Sequence, residues 1–253
     1  MKLYQYTTIE ALSLILSNKT IRFSRLDTVD DPEEYGFERN GKSFAPYVFV
    51  SCWTPVSEEI IPMWRMYSNK AKGVRIGLDS QMFEVYKYGR GDWPEIFPEG
   101  YYYDKDFYIP PLIREQHFCY PLFDIEYVGN VANKTGSIFR EIKGSEAVDF
   151  KELGKYKKND WAFQKEKRFV LNVFPKQKNS ENYTQISNSI NRQDFVQELF
   201  LDVPLRENVL DNIEIVLGPL ATDSDRIIVK CLMNTFLQRA DLKTSSFAGK
   251  MRF

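Results

Sequence analysis

The hydrophobic pattern is clearest over residues 161–174, WAFQKEKRFVLNVF. Phe169, Leu171 and Val173 alternate with Arg168, Val170 and Asn172. That period of two, in residues that favour extended backbone, predicts a half-buried strand. Gln164, Lys165, Glu166, Lys167 and Arg168 stand at its mouth. A carboxylate held there by packing behind it is placed either for chemistry or for a surface ion-pair cluster.

Read in order, residues 3–7 form a first short strand, and Thr7 with Glu10 fits a capping box. The following helix has Ile9, Leu12, Leu14, Ile15 and Leu16 on its apolar face and ends near Asn18. Residues 21–24 make a second strand carrying Arg22 and Arg25 at its edges. The loop LDTVDDPEEYGFERNG is acidic, and Asp31-Pro32 breaks any regular element. It reads as a solvated connector. A calcium loop would need a ligand spacing and central glycine that it lacks.

Residues 47–53, YVFVSCW, form an apolar run expected of a buried strand, and Ser57 is a candidate cap for a helix carrying Ile60, Ile61, Met63, Trp64 and Tyr67. Residues 73–78 read as a strand, with Asp79 capping a short helix. Residues 89–120 are rich in Pro, Gly and aromatics with poor periodicity, which marks an insertion or lid in which Tyr101, Tyr102 and Tyr103 either cover a pocket or pack the insertion. Further on, 123–128 is a strand, 136–156 one or two helices, and 176–191 an irregular polar loop. Strands at 198–203 and 213–217 precede a helix over 223–238 and a tail that frays or docks by its Phe residues. Short strands irregularly interleaved with short helices predict one α+β domain over 1–253 and speak against regular βαβ alternation.

Composition narrows the chemistry. The 253 residues suffice for a full core, and 19 Phe with 15 Tyr allow stacking surfaces. A net charge of −1 argues against nonspecific nucleic-acid binding by phosphate neutralisation. Cys52, Cys119 and Cys231 lack paired spacing, so neither a disulfide framework nor a zinc site is expected, and His117 is the single histidine. MKLYQYTTIE lacks the apolar centre of a secretory signal, and no run is long enough to span a bilayer, so a cytoplasmic protein with no membrane contact is expected.

Four blocks, LYQYTTIEALSLILSNKTIRFSRLDTVDDPEE, FVSCWT with MWRMYSNKAKGVRIGL, WAFQKEKRFVL and IEIVLGPLA, resemble a bacterial family catalogued as domain of unknown function 2971 over almost the full length. That family label names no activity. A weaker resemblance, to ADP-ribosyltransferases and their DNA-targeting toxin branch, does. Those enzymes share a split α+β fold of small sheets with flanking helices: a first strand carries a polar or aromatic residue, a second a hydroxyl residue, and a third begins with Glu, often two positions after Gln or Glu. Matched to this chain, those positions are Tyr4 or Tyr6, Ser51, and Gln164 with Glu166. The first-strand His of many such enzymes is absent, and the hydroxyl motif is VSC.

The resemblance implies that NAD is consumed as a substrate, with Glu166 stabilising an oxocarbenium-like transition state and Gln164 positioning the acceptor. Arg22 and Arg25 become candidate pyrophosphate clamps, and Trp64 and Tyr67 candidate stacking platforms. A bacterial toxin or phage-defence effector is implied as setting, with an antitoxin or defence-system protein as partner; protein, nucleic acid, nucleotide and water all stay open as acceptor. No metal is expected. Two rivals remain. One is a non-catalytic module binding nucleotides or nucleic-acid ends, favoured if Glu166 is locked in a buried pair. The other is a metal-dependent hydrolase or nuclease using Asp30, Asp31, Glu34 and Glu166, favoured if those carboxylates meet.

Overall fold

The computed structural model describes residues 1–34, 36–83, 86–87, 107–108, 117–118, 122–142, 145–175, 182–237 and 241–251. In chain order, β1 (Lys2–Thr7), α1 (Ile9–Asn18) and β2 (Thr20–Arg25) come first. β3 (Val48–Trp53), α2 (Ile61–Tyr67) and β4 (Val74–Asp79) follow, then β5 (Leu122–Asp124), β6 (Glu126–Val128), β7 (Tyr156–Lys158) and β8 (Lys167–Asn172). The chain closes with α3 (Asn182–Arg192), β9 (Phe200–Pro204), β10 (Glu214–Leu217), α4 (Asp223–Phe236) and β11 (Leu242–Thr244).

The fold is α+β. One sheet runs β1-β4-β10-β11 and a second β5-β8-β3-β2-β9. All their pairings are antiparallel except β10 with β11. The main core draws on both sheets: Leu3 and Ile76 from the first meet Phe49, Phe169 and Leu201 from the second, with Leu12 and Leu16 of α1 and Val229 and Met233 of α4. A second core beneath β3 and β8 gathers Leu26, Val50, Tyr156 and Val170 around the loop residues Phe37 and Phe44.

Several expectations are corrected. β8 is buried on both faces, since Phe169 and Leu171 enter the first core and Val170 the second; a strand between two paired neighbours under two cores has no wet side. Thr8, not Thr7, caps α1, accepting from Ala11 N at 3.1 Å. Ser57 does not cap α2, whose N-cap is Ile60. Asp79 closes a turn by accepting from Gln81 N and caps no helix there. Residues 123–128 divide at Ile125 into β5 and β6, which join different sheets. Among the described residues of 136–156, the helical turn Thr135–Ile138 is followed by a strand pair, Phe139–Ile142 with Ser145–Val148, and then β7. The expected loop at 176–191 contains α3, whose Ile186 and Ile190 pack beside the Tyr47–Phe174 cluster. The tail docks: Phe247 and Met251 lie against Trp64, Ala71 and Val216. The insertion at 89–120, with Tyr101 to Tyr103, lies outside the described residues except for two short strand segments, Phe107–Tyr108 and His117–Phe118. Among the described residues no helix is long and apolar enough to cross a membrane.

Candidate functional site: a cleft at the junction of two sheets

β1 edges the first sheet and β3 lies inside the second. Tyr4 N donates to Thr54 O at 2.8 Å and Thr54 N to Tyr4 O at 2.9 Å, an isolated bridge that joins the sheets where β3 ends. Beside it is a cavity of ≈ 210 Å³ walled by Tyr4 and Tyr6 of β1, Arg22 and Ser24 of β2, Ser51 and Cys52 of β3, Tyr67 of α2, and Lys157, Gln164, Glu166 and Arg168. A second hollow of ≈ 230 Å³ adjoins it, sharing Gln5, Tyr6, Arg22 and Ser24 and reaching Asp202 and the Leu14–Ile15 side of α1.

The turn entering β8 sets the cleft floor. A 3-10 helix, Asn159–Gln164, ends at Lys165 with φ 44° and ψ 53°, a left-handed conformation that costs a non-glycine residue about 1 kcal/mol. The reversal exposes Lys165 and buries the side chains on either side of it, Gln164 at 2 % exposure and Glu166 at 6 %. Thr54 Oγ1 donates to Lys165 O at 3.3 Å, and Glu166 N donates to the Tyr127 hydroxyl at 2.8 Å.

Glu166 belongs to a buried set of four charges. Arg168 Nε donates to Glu166 Oε1 at 2.6 Å and Arg168 Nη1 to Glu34 Oε2 at 2.5 Å. Lys157 Nζ lies 2.9 Å from Glu34 Oε1 and 3.3 Å from Glu166 Oε2. Two cations and two carboxylates alternate, so formal charge cancels, and each ion keeps partners that offset its desolvation. Burial opposes ionisation of Glu166, but the charges of Arg168 and then Lys157 outweigh it and hold its carboxyl below the ordinary value. Lys157 is held above its ordinary value by Glu166 and Glu34, which overcome its burial. Burial pushes the Cys52 thiol up and outweighs the opposing pull of the Arg168 charge, so it stays protonated rather than becoming a nucleophile.

A second polar chain crosses the wall. The Tyr67 hydroxyl donates to Asp30 Oδ2 at 2.6 Å and accepts from Gln164 Nε2 at 2.6 Å. Burial, then the Asp30 hydrogen bond, pushes the Tyr67 hydroxyl far up.

Tyr4, Tyr6, Arg22, Ser51, Tyr67, Gln164 and Glu166 therefore share one cavity. Arg25 and Trp64 do not line it. Arg25 is tied to Asp27 and donates to Val196 O, so it braces the β2 end. Trp64 is fully buried, donating to Glu59 and meeting Tyr6 edge-on at 4.9 Å, and so supports the wall from behind. Arg22 borders the cleft with its charge engaged: it forks onto Asp202 with two 2.9 Å bonds and lies 3.5 Å over Phe200. Tyr4 is backed by the Arg75 guanidinium at 4.5 Å, the Tyr6 hydroxyl accepts from Ile60 N, and Ser51 accepts from Trp53 Nε1.

Compared with family models, curated proteins and solved structures, the chain has no match. The site therefore rests on its own geometry. Sequence reasoning missed Lys157, Arg168 and Cys52 as wall residues. An arginine directly before the apolar run Phe169–Leu171 was the available signal, since such a residue stays buried only with partners. The metal-site rival is weakened by the partners its carboxylates have. Glu34 and Glu166 do meet, but through shared cations, while Asp30 holds Tyr67 and Asp31 accepts from Glu33 N. Among the described residues no group of three metal-ligating side chains is arranged around a point.

Proposed function

We propose that the inter-sheet cleft binds NAD and cleaves its nicotinamide–ribose bond, as the resemblance to ADP-ribosyltransferases implies. One observation carries this reading: Tyr4, Tyr6, Ser51, Gln164 and Glu166, drawn from three distant stretches of chain, wall a single cavity at the junction of two sheets. A cavity of ≈ 210 Å³ is smaller than the about 300–1,000 Å³ of typical ligand sites. It suits a nicotinamide with its ribose, and the adjoining ≈ 230 Å³ hollow gives the rest of the dinucleotide a path past Arg22.

In this reaction the C1′–N bond breaks and its electron pair leaves with neutral nicotinamide. The ribosyl cation is captured by a hydroxyl, amine or water, which then loses a proton. Glu166, kept ionised by its neighbours, accepts from a ribose hydroxyl and stabilises the developing positive charge locally. Because its charge set sums to zero, little field reaches beyond direct contact. A bacterial cytoplasmic toxin or phage-defence effector, restrained by an antitoxin or defence-system partner, is the setting this reading implies. Its acceptor is a protein, a nucleic acid, a nucleotide or water.

A second reading has its own observation. Both oxygens of Glu166 are engaged by Arg168 and Lys157, which favours a nucleotide-binding module that does not cleave. Calorimetry with NAD and chromatographic detection of nicotinamide separate the two. Binding with release supports cleavage, binding without release supports the module, and neither removes NAD as the ligand.

A further inference from the structure

Asp30, Tyr67 and Gln164 all line the cavity, and their hydrogen bonds have only one consistent direction. A carboxylate accepts and does not donate, so the single Tyr67 proton is committed to Asp30. The Tyr67 oxygen can then only accept, and Gln164 must offer it the amide nitrogen. The two ends of a primary amide have the same shape, so this bond alone decides which end is left over. Gln164 Oε1 is buried and has no hydrogen-bond partner among the described residues. The other such atom on a cavity-lining residue is Arg168 Nη2, a donor. Leaving a buried acceptor unsatisfied costs about 1–3 kcal/mol, which a suitable ligand group would recover.

We propose that Asp30, acting through Tyr67, turns the Gln164 carbonyl toward the cleft, and that the ligand group received there is a hydrogen-bond donor, a hydroxyl or an amide N–H, and not a phosphate or carboxylate. Asp30 is then a positioning residue, which gives the acidic loop two separate duties: Asp30 sets hydrogen-bond polarity, while Glu34 balances Lys157 and Arg168. The inference rests on the reading of this cleft as the NAD site. The burial that raises the Tyr67 hydroxyl keeps its proton in place across ordinary pH, so the direction does not reverse.

A charge-conserving pair of substitutions tests it. In Gln164→Glu, two carboxylates compete for one tyrosine proton. The variant should bind NAD about tenfold more weakly and unfold about 2–4 °C lower at neutral pH. That thermal deficit should shrink as pH falls, because the protonated acid can donate to Tyr67 as the amide does. Adding Asp30→Asn should reverse the whole chain: the new amide donates to Tyr67, Tyr67 donates to the new carboxylate, and an acceptor still faces the cleft. NAD affinity should return to within about threefold of wild type, and the unfolding midpoint should recover. Losses that add in the double variant would overturn the proposal. The two failures can be told apart. Rescue of the midpoint in a protein that never binds NAD would sink the ligand reading and sustain the polarity relay, whereas NAD binding with additive losses would do the opposite.

Discussion

Arg168 and Glu34, 134 residues apart in the chain, meet at 2.5 Å beneath the cleft. This contact draws the acidic loop under β8, and with Lys157 and Glu166 it lets four charges stay buried together. Removing one partner strands the others, so Arg168→Leu should lower the unfolding free energy by about 3–5 kcal/mol. Glu34→Gln with Lys157→Gln should cost less than the sum of the two single changes, because the pair leaves together. A urea-denaturation cycle measures both; strict additivity would show that the charges do not act as a set.

Acid should dismantle this set. The folded-state value of Glu166 is depressed, so its stabilisation is fully present above the ordinary glutamate value of about 4.3 and is lost as pH falls through the lower folded value. Wild type should therefore lose stability steeply below about pH 4, and Glu166→Gln should show a shallower acid limb from a lower starting stability. Urea midpoints taken from pH 7 to pH 3 check this. Parallel limbs would mean that other carboxyls govern acid unfolding.

Glu59 pins the tail. It accepts from Trp64 Nε1 at 2.9 Å, Ser246 N at 2.7 Å and Ser245 Oγ at 2.5 Å, and thereby fastens the segment bearing Phe247 over the helix that presents Tyr67. Glu59→Ala should cost about 2 kcal/mol and raise amide exchange in residues 245–251. Unchanged exchange there would show that apolar docking of Phe247 and Met251 suffices.

Two glycines test how closely the backbone packs. A Cβ on Gly73 would stand 2.2 Å from Thr7 O, at the end of β1, whereas one on Gly136 would meet nothing within 4 Å. Gly73→Ala should destabilise by about 2 kcal/mol or more, and Gly136→Ala should be neutral or slightly stabilising. Thermal unfolding of the two variants gives the comparison; equal shifts would contradict the close approach.

The parts legible in the sequence are those in which local pattern and tertiary demand agree. The apolar run of β3, the short first strand at residues 3–7 and the helical spacing in α4 predict their elements, and Ser51, Gln164 and Glu166 line one cavity. α3 was hidden because NYTQISNSINR carries only Ile186 and Ile190 as an apolar stripe, and its Asn and Ser favour turns. The strand pair after Ile138 was mistaken for helix because its apolar residues are too few to show a period. The four-charge set and the Asp30–Tyr67–Gln164 chain were illegible for another reason: each joins residues far apart in sequence, and only the packed sheets bring them within reach. Arg25 and Trp64 are site candidates under the resemblance, yet Arg25 braces the end of β2 and Trp64 supports the wall from behind.

The central claim is that Glu166 acts on bound NAD. Nicotinamide release should be followed with purified wild type and Glu166→Gln, together with NAD affinity and the folded fraction of each. The account predicts release by wild type and a fall of about 10³-fold or more in the folded variant, with NAD affinity altered much less. Wild type that binds NAD without releasing nicotinamide, or a folded variant that releases it as fast, would contradict the account.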